Sequence, residues 1–148
     1  MSTPPTGAFE GREHRLPVRV YYEDTDFTGV VYHAGYLRFF ERGRTEFLRA
    51  LSPGGHAELL DREDPLAFVA TRMTIEWLRP ARIDEALVVC TRYEAVKGAR
   101  LFIRQHIERD GDVLCRAEVE IALIGLDGRP RRPPQALREA LEPWLTKA

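Results

Sequence analysis

Alternating hydrophobic and polar residues mark the first predicted strand, from His14 to Tyr22. Its apolar positions share one parity and are Leu16, Val18 and Val20, while Arg15 and Arg19 take the other parity. A period of two is typical of a strand with one buried face. The preceding residues 1–14 are polar and rich in proline and glycine, which predicts a flexible N-terminal arm.

The period becomes helical between Tyr36 and Leu51. One apolar stripe runs along this segment through Tyr36, Phe40, Gly43, Phe47 and Leu51, and Leu37 and Leu48 widen it. Charged residues occupy much of the remaining surface, so the pattern predicts one long amphipathic helix. Residues 52–55 (SPGG) are expected to end it.

Four more strands are predicted after a polar stretch at about 56–65. Apolar residues alternate again within 69–77, 87–93, 101–107 and 113–123. In the first of these segments one face is expected to carry Val69, Thr71, Met73, Ile75 and Trp77. Turn pairs at 97–98 (KG), 110–111 (DG) and 127–128 (DG) follow these segments, and the second is a strong hairpin signal. A proline-rich spacer and a short final helix over about 135–145 complete the chain.

The order of one strand, one long helix and four strands predicts an α+β domain over residues 15–148. Short turns require antiparallel neighbours. A single helix with a wide aromatic stripe needs a concave surface to cover it, so we expect about five strands curled around the helix. The length of 148 residues, 44% of them hydrophobic, is sufficient for one domain with its own core.

Charge and cysteine usage favour a cytoplasmic protein. There are 22 basic and 23 acidic side chains, a net charge of −1, which gives no argument for a nucleic-acid partner. No apolar run approaches the ~20 residues of a transmembrane segment, and the first residues do not resemble a signal peptide. Cys90 and Cys115 form no CxxC pair, as expected of reduced cysteines.

Several kinds of site are disfavoured by the residues available. Residues 24–26 (DTD) match a short metal-binding pattern of nucleotide-sugar enzymes, but no glycine-rich phosphate loop accompanies them. The four histidines lack the spacing of metal ligands, so no metal site is predicted. Neither serine lies in a GxSxG motif, and neither cysteine has a neighbouring histidine.

The most informative stretch is residues 21–36 (YYEDTDFTGVVYHAGY), where three acids lie between a strand end and a helix start. A solvated acidic loop that favours the following helix N-terminus is one interpretation. The apolar residues at 30–32 follow directly, however, which is more typical of the lip of a pocket. A carboxylate beside the unpaired N–H groups of a helix start suits the transfer of an acyl group to water. These residues alone leave the acyl compound open.

Residues 19–44 resemble the opening signature of the 4-hydroxybenzoyl-CoA thioesterase family, closest to its Tol–Pal-associated (YbgC-type) acyl-CoA thioesterases. The matching pieces are YEDTD at 22–26, GVVYH at 29–33 and YLxFFExxR at 36–44. Residues 77–85 (WLRPARIDE) extend the resemblance, which covers roughly residues 14–126.

The resemblance implies a hotdog fold and hydrolysis of an acyl-CoA thioester without a metal or other cofactor. It places the catalytic carboxylate at Asp26, as nucleophile or general base, and gives Asp24 a supporting role. His33 falls where the backbone N–H would polarise the thioester carbonyl, with its imidazole able to assist. The candidate substrate-binding residues are Gly29, Val30, Val31, Tyr32 and Tyr36.

Gly35 departs from the asparagine that is common in the family and removes a side-chain amide near the helix start. The resemblance also implies a homodimer joined edge to edge, or a homotetramer, with acyl-CoA at the subunit boundary and acyl carrier protein as a further candidate partner. Candidates for contacts with the CoA phosphates are Arg72, Arg79, Arg82 and Arg100. Two alternatives remain open: a protein that binds acyl-CoA or acyl carrier protein without turnover, and a hydratase of enoyl thioesters.

Overall fold

A computed structural model describes residues 3–147. Its six strands form one antiparallel sheet in the order β1-β2-β4-β5-β6-β3. The strands are β1 Ala8–Glu10, β2 Glu13–Arg19, β3 Leu66–Trp77, β4 Ala86–Lys97, β5 Arg100–Arg109 and β6 Asp112–Gly125. The α-helices are α1 His33–Leu51, α2 Gly55–Leu60 and α3 Gln135–Leu141. Short 3₁₀ turns cover Tyr22–Asp24 and Glu142–Trp144. The predicted α+β architecture is confirmed, with one strand more than expected.

Helix α1 packs against β2, β4 and β5 through its apolar stripe. Phe40 and Phe47 are completely buried there. Gly43 allows the close approach, because a Cβ atom at this position would lie 2.7 Å from Val89 Cγ1. Leu48 is buried as predicted, but Leu37 is exposed, so the stripe is narrower than predicted at its N-terminal end.

The strand register separates an apolar face of the sheet from a charged face. Leu16, Val89, Ile107 and Cys115 are cross-strand partners, and all four are buried. The adjacent row consists of Arg15, Cys90, His106 and Arg116. Because successive side chains of a strand point to opposite faces, this second row lies on the face away from α1.

A β-bulge in β3 overturns the prediction that Val69 shares a face with Met73, Ile75 and Trp77. The register with β6 shifts between Ala70 and Arg72. An extra residue inverts the side-chain alternation beyond it. Val69 therefore opposes Ala122, whereas Ile75 opposes Ala117 on the inner face.

Three elements differ from the sequence pattern. Strand β1 lies within the predicted N-terminal arm and pairs with β2, and its Phe9 stacks on Trp144 with ring centroids 4.0 Å apart. Helix α2 lies in the stretch that was expected to be only polar. The final helix ends at Leu141 and continues as a 3₁₀ turn to Trp144. Within residues 3–147, no helix has the length and apolar character needed to span a membrane.

Candidate active site

Asp26 begins a tight turn between the end of β2 and the start of α1. Thr25 and Val31 bridge the base of the turn, and the Asp26 N–H donates to the Val30 carbonyl at 2.9 Å. The Gly29 N–H donates back to the Asp26 carbonyl at 3.1 Å. Gly29 has φ +81°, a conformation that favours glycine. The turn therefore presents the Asp26 side chain to solvent in the loop that precedes α1.

The Asp26 carboxylate is held through one of its two oxygens. Oδ1 accepts hydrogen bonds from the Thr28 hydroxyl at 2.5 Å and the Thr28 N–H at 2.8 Å, with the Val30 N–H at 3.4 Å. The Thr28 hydroxyl, followed by the backbone donors, lowers the pKa of Asp26 below its ordinary value. Asp26 is therefore ionised at neutral pH, as a nucleophile or a general base must be.

The segment between β3 and β4 anchors this loop to the body of the protein. The Val31 N–H donates to the Ala81 carbonyl at 2.9 Å, and the Ile83 N–H donates to the Gly29 carbonyl at 2.9 Å. The Ala81 N–H donates to the Tyr36 hydroxyl at 2.9 Å. Burial raises the pKa of Tyr36, so its hydroxyl stays protonated at neutral pH.

Asp24 has a different environment from Asp26, since it is buried, with 7% of its surface exposed. Its Oδ2 accepts the Tyr21 N–H at 2.8 Å, and its backbone carbonyl accepts the Tyr32 N–H at 3.1 Å. Asp24 thereby ties together the two ends of the loop.

His33 is the first residue of α1 and is exposed. Tyr32 precedes the helix but supplies no side-chain hydrogen bond to it. The first N–H groups of a helix have no intrahelical acceptor, so this helix start lacks a side-chain cap and offers donors to a ligand. The His33 ring lies 4.9 Å from the Trp77 ring, centroid to centroid.

A pocket of about 200 Å³ lies beside this helix start. It is lined by Val30, Val31, His33, Tyr36, Trp77, Leu78, Arg79 and Pro80. Four of the seven predicted site residues therefore line one pocket, whereas Asp26, Gly29 and Tyr32 do not. Asp26 is connected to the pocket through Val30, which both lines it and donates to the carboxylate.

Gly35 lies on the inner side of the first turn of α1. A Cβ atom there would lie 3.0 Å from Val31 Cγ1 and 3.4 Å from the Asp24 carbonyl oxygen. The helix start therefore packs closely against the loop at this position.

Two sets of site residues were not predicted. The first consists of Thr28 alone. Its signal was a threonine two residues after an aspartate, which is a known turn pattern. The other set comes from the end of β3 and the residues after it, namely Trp77, Leu78 and Pro80. The family resemblance of residues 77–85 (WLRPARIDE) pointed to this segment, but it did not predict that the segment contacts the loop that contains Asp26.

A group of three potential metal ligands lies on the sheet face away from α1. Atoms of Glu13, Cys90 and His106 lie within 4.8 Å of one another. Arg15 occupies the same place, with Nη1 at 2.8 Å from Glu13 Oε2 and 3.3 Å from Cys90 Sγ. Burial raises the pKa of the Cys90 thiol, so it stays protonated. The cluster is therefore an ion-pair network around a guanidinium.

Comparison with known proteins gives one consistent family. The thioesterase-like superfamily matches residues 20–141. The acyl-CoA thioesterase YbgC of Haemophilus influenzae is 46% identical over 111 residues, covering 75% of this chain and 80% of that protein. The acyl-CoA thioester hydrolase YbgC of Escherichia coli O6:H1 is 42% identical over 125 residues, covering 83% and 91%.

A solved structure extends the match to the fold. A probable thioesterase from Bartonella henselae superposes with a TM-score of 0.79 at 48% identity, covering 82% of this chain and 99% of that one. This similarity confirms the predicted hotdog fold.

Proposed function

The chain is a thioesterase that belongs to the thioesterase-like superfamily, and we propose that it hydrolyses acyl-CoA to a carboxylic acid and free CoA, with Asp26 as the catalytic carboxylate. The observation that carries the proposal is the held but exposed carboxylate of Asp26 in the loop that leads directly into an uncapped helix start. A carboxylate and a set of N–H donors are the two groups that transfer of an acyl group to water requires.

In this mechanism the thioester carbonyl lies at the N-terminus of α1. The His33 N–H and the positive end of the helix dipole stabilise the oxyanion that forms on the carbonyl oxygen. Asp26 acts as a nucleophile, forming an anhydride that water then opens, or as a general base that takes a proton from the attacking water. Both routes release the acid and the CoA thiol.

The apolar pocket beside the helix start is proposed to hold the acyl group next to this carbonyl. Val30, Val31 and Tyr36 line it from the loop and helix side, and Trp77 lines it from β3. Gly29 and Tyr32 are proposed to contact the substrate closer to the thioester, since they flank these residues in the same loop.

Release of free thiol from a panel of acyl-CoAs tests the proposal. A thiol reagent should report steady release from at least one acyl-CoA with aliphatic or aromatic acyl groups. Binding without thiol release would instead support a non-catalytic acyl-CoA-binding protein. A changed acyl chain without thiol release would support hydration of an enoyl thioester. Acyl carrier protein presents the same thioester arm, so an acylated carrier protein belongs in the panel.

Contacts with the CoA phosphates are proposed for Arg79 and Arg82. Arg79 lines the pocket, and Arg82 forms a backbone bridge with Val30. Arg79 forms an ion pair with Asp112 at 3.5 Å between two largely exposed side chains. Such a pair competes only weakly with a contact between Arg79 and a phosphate. Arg100, by contrast, pairs with Glu120 at 2.7 Å.

The KM for acyl-CoA should rise with salt, with kcat little changed. Raising ionic strength from about 0.01 M to about 1 M shortens the Debye length from ~30 Å to ~3 Å, which weakens attraction between arginine and phosphate. Steady-state kinetics at several salt concentrations measure the effect. Arg79→Ala and Arg82→Ala should reduce the salt dependence, whereas Arg100→Ala should preserve it. A KM that does not change with salt would contradict these contacts.

The subunit arrangement is proposed to be a homodimer joined edge to edge, or a homotetramer built from it. Strand β3 is 12 residues long and has β6 as its one neighbour within residues 3–147. An open edge of this length exposes unpaired backbone groups, which proteins usually pair or protect. Val69 and Trp77 on this strand are also exposed.

Light scattering of the active protein should give two or four times the chain mass of 17.0 kDa. A fully active monomer at micromolar concentration would contradict the proposed assembly, without bearing on the role of Asp26.

A further inference from the structure

We propose that Thr28 is a positioning residue, which fixes Oδ1 of Asp26 and thereby makes Oδ2 the oxygen that reacts. The inference rests on the proposed function, because it concerns the carboxylate assigned to catalysis there. It adds a residue that acts through Asp26 and a choice between the two carboxylate oxygens.

The hydrogen bonds of Asp26 are distributed unevenly between its oxygens. Oδ1 accepts two bonds from Thr28, at 2.5 Å from the hydroxyl and 2.8 Å from the N–H, and a longer one from the Val30 N–H. Within residues 3–147, no hydrogen bond reaches Oδ2. An oxygen with three donors has its lone pairs engaged, so Oδ2 is the better nucleophile or base.

Two contacts from one residue also restrict the rotation of the carboxylate. Asp26 is exposed, and an exposed carboxylate held by one backbone donor would exchange its oxygens readily. The Thr28 hydroxyl adds a short, charge-assisted bond from a second direction. The geometry is thus set before substrate arrives, which lowers the cost of reaching the reactive arrangement.

The Thr28 side chain has no competing structural role in the described part of the chain. It is exposed and lies outside the hydrophobic core. Its hydroxyl bonds Asp26, whereas the hydroxyl of nearby Thr25 bonds the Tyr22 carbonyl at 2.8 Å. Thr25 therefore offers a matched control: the same residue type in the same loop, with a hydroxyl bond that does not involve Asp26.

The test compares Thr28→Val, Thr28→Ser and Thr25→Val in the full chain. The pKa of Asp26 is measured by ¹³C NMR of its carboxyl carbon, and kcat and KM are measured with an acyl-CoA over a range of pH. Because the hydroxyl stabilises the ionised form, Thr28→Val should raise the pKa of Asp26 and move the acidic limb of the kcat profile to higher pH.

Thr28→Val should also lower kcat roughly tenfold, with KM nearly unchanged, since a hydrogen bond to a charged group is lost while the pocket is kept. Thr28→Ser should restore both the pKa and kcat, and Thr25→Val should leave both at wild-type values. Circular dichroism of each variant confirms folding before comparison.

A Thr28→Val variant with wild-type kcat would overturn the inference, and so would equal losses in Thr28→Val and Thr28→Ser. Failure of the proposed function gives different results: the wild-type chain would release no thiol if it does not hydrolyse acyl-CoA, and Asp26→Asn would retain full turnover if Asp26 is not the catalytic carboxylate. If Asp26→Asn is inactive and Thr28→Val is fully active, only the role of Thr28 is refuted.

Discussion

Replacing Asp26 with asparagine is expected to lower kcat by ~10²–10⁴-fold, the contribution typical of a general base or nucleophile. The amide has nearly the same size and can still accept the Thr28 hydrogen bonds at Oδ1, but it carries no negative charge and cannot take a proton. KM and the oligomeric state should therefore stay close to wild type. Steady-state kinetics with thiol detection, together with light scattering, measure all three.

Two other substitutions serve as comparisons for Asp26→Asn. Asp24→Asn should cost much less activity, because an amide oxygen can still accept the Tyr21 N–H. His33→Ala should have an intermediate effect, since the backbone N–H survives while the imidazole is lost. If Asp24→Asn abolished turnover and Asp26→Asn retained it, the catalytic carboxylate would have been assigned to the wrong residue.

Replacing Phe47 with alanine is expected to lower the free energy of unfolding by about 3–5 kcal/mol, the usual cost of removing a buried aromatic side chain. Phe47 is completely buried where α1 meets the sheet. Its ring stacks on Tyr93 with centroids 4.4 Å apart and forms a T-shaped pair with Phe9, with centroids 5.1 Å apart. Denaturant unfolding at one fixed protein concentration measures the loss.

Phe27→Ala is the matched control for this stability prediction. It is the same substitution at a side chain that is 99% exposed in the chain. A substitution at such an exposed position should change the free energy of unfolding by no more than ~0.5 kcal/mol. Similar losses in Phe27→Ala and Phe47→Ala would show that burial in the single chain does not govern the stability of this protein.

Local periodicity was sufficient to predict the helices and strands that bury one continuous face. The stripe of α1, apart from Leu37, and the alternation in β2, β4, β5 and β6 agree with the structure, because each pattern reflects packing on one side. The bulge at Ala70–Arg72 was not predictable, since it depends on pairing with β6. Strand β1 was missed because its three residues are stabilised by β2, Phe47 and Trp144 rather than by their own sequence.

In the site, too, local sequence predicts some features, whereas others depend on tertiary pairing. The acidic loop and the helix start are contiguous in sequence, so this stretch could be singled out from its order and chemistry, and the family resemblance then pointed to Asp26 and His33 within it. The contribution of residues 77–83 required knowledge of tertiary pairing, because Val31 meets Ala81 only in the folded chain. Thr28 was not predicted, because its proposed role depends on a side-chain hydrogen bond to Asp26 whose geometry the sequence does not specify.

The amount of thiol released per mole of chain tests the central claim, hydrolysis of acyl-CoA, most directly. With the preferred acyl-CoA in large excess, the account predicts many equivalents of free CoA, an equal amount of free carboxylic acid, and a far slower release from Asp26→Asn. Release that stops at or below one equivalent for every acyl-CoA tested would contradict it, because such a chain binds or traps the thioester without turning it over.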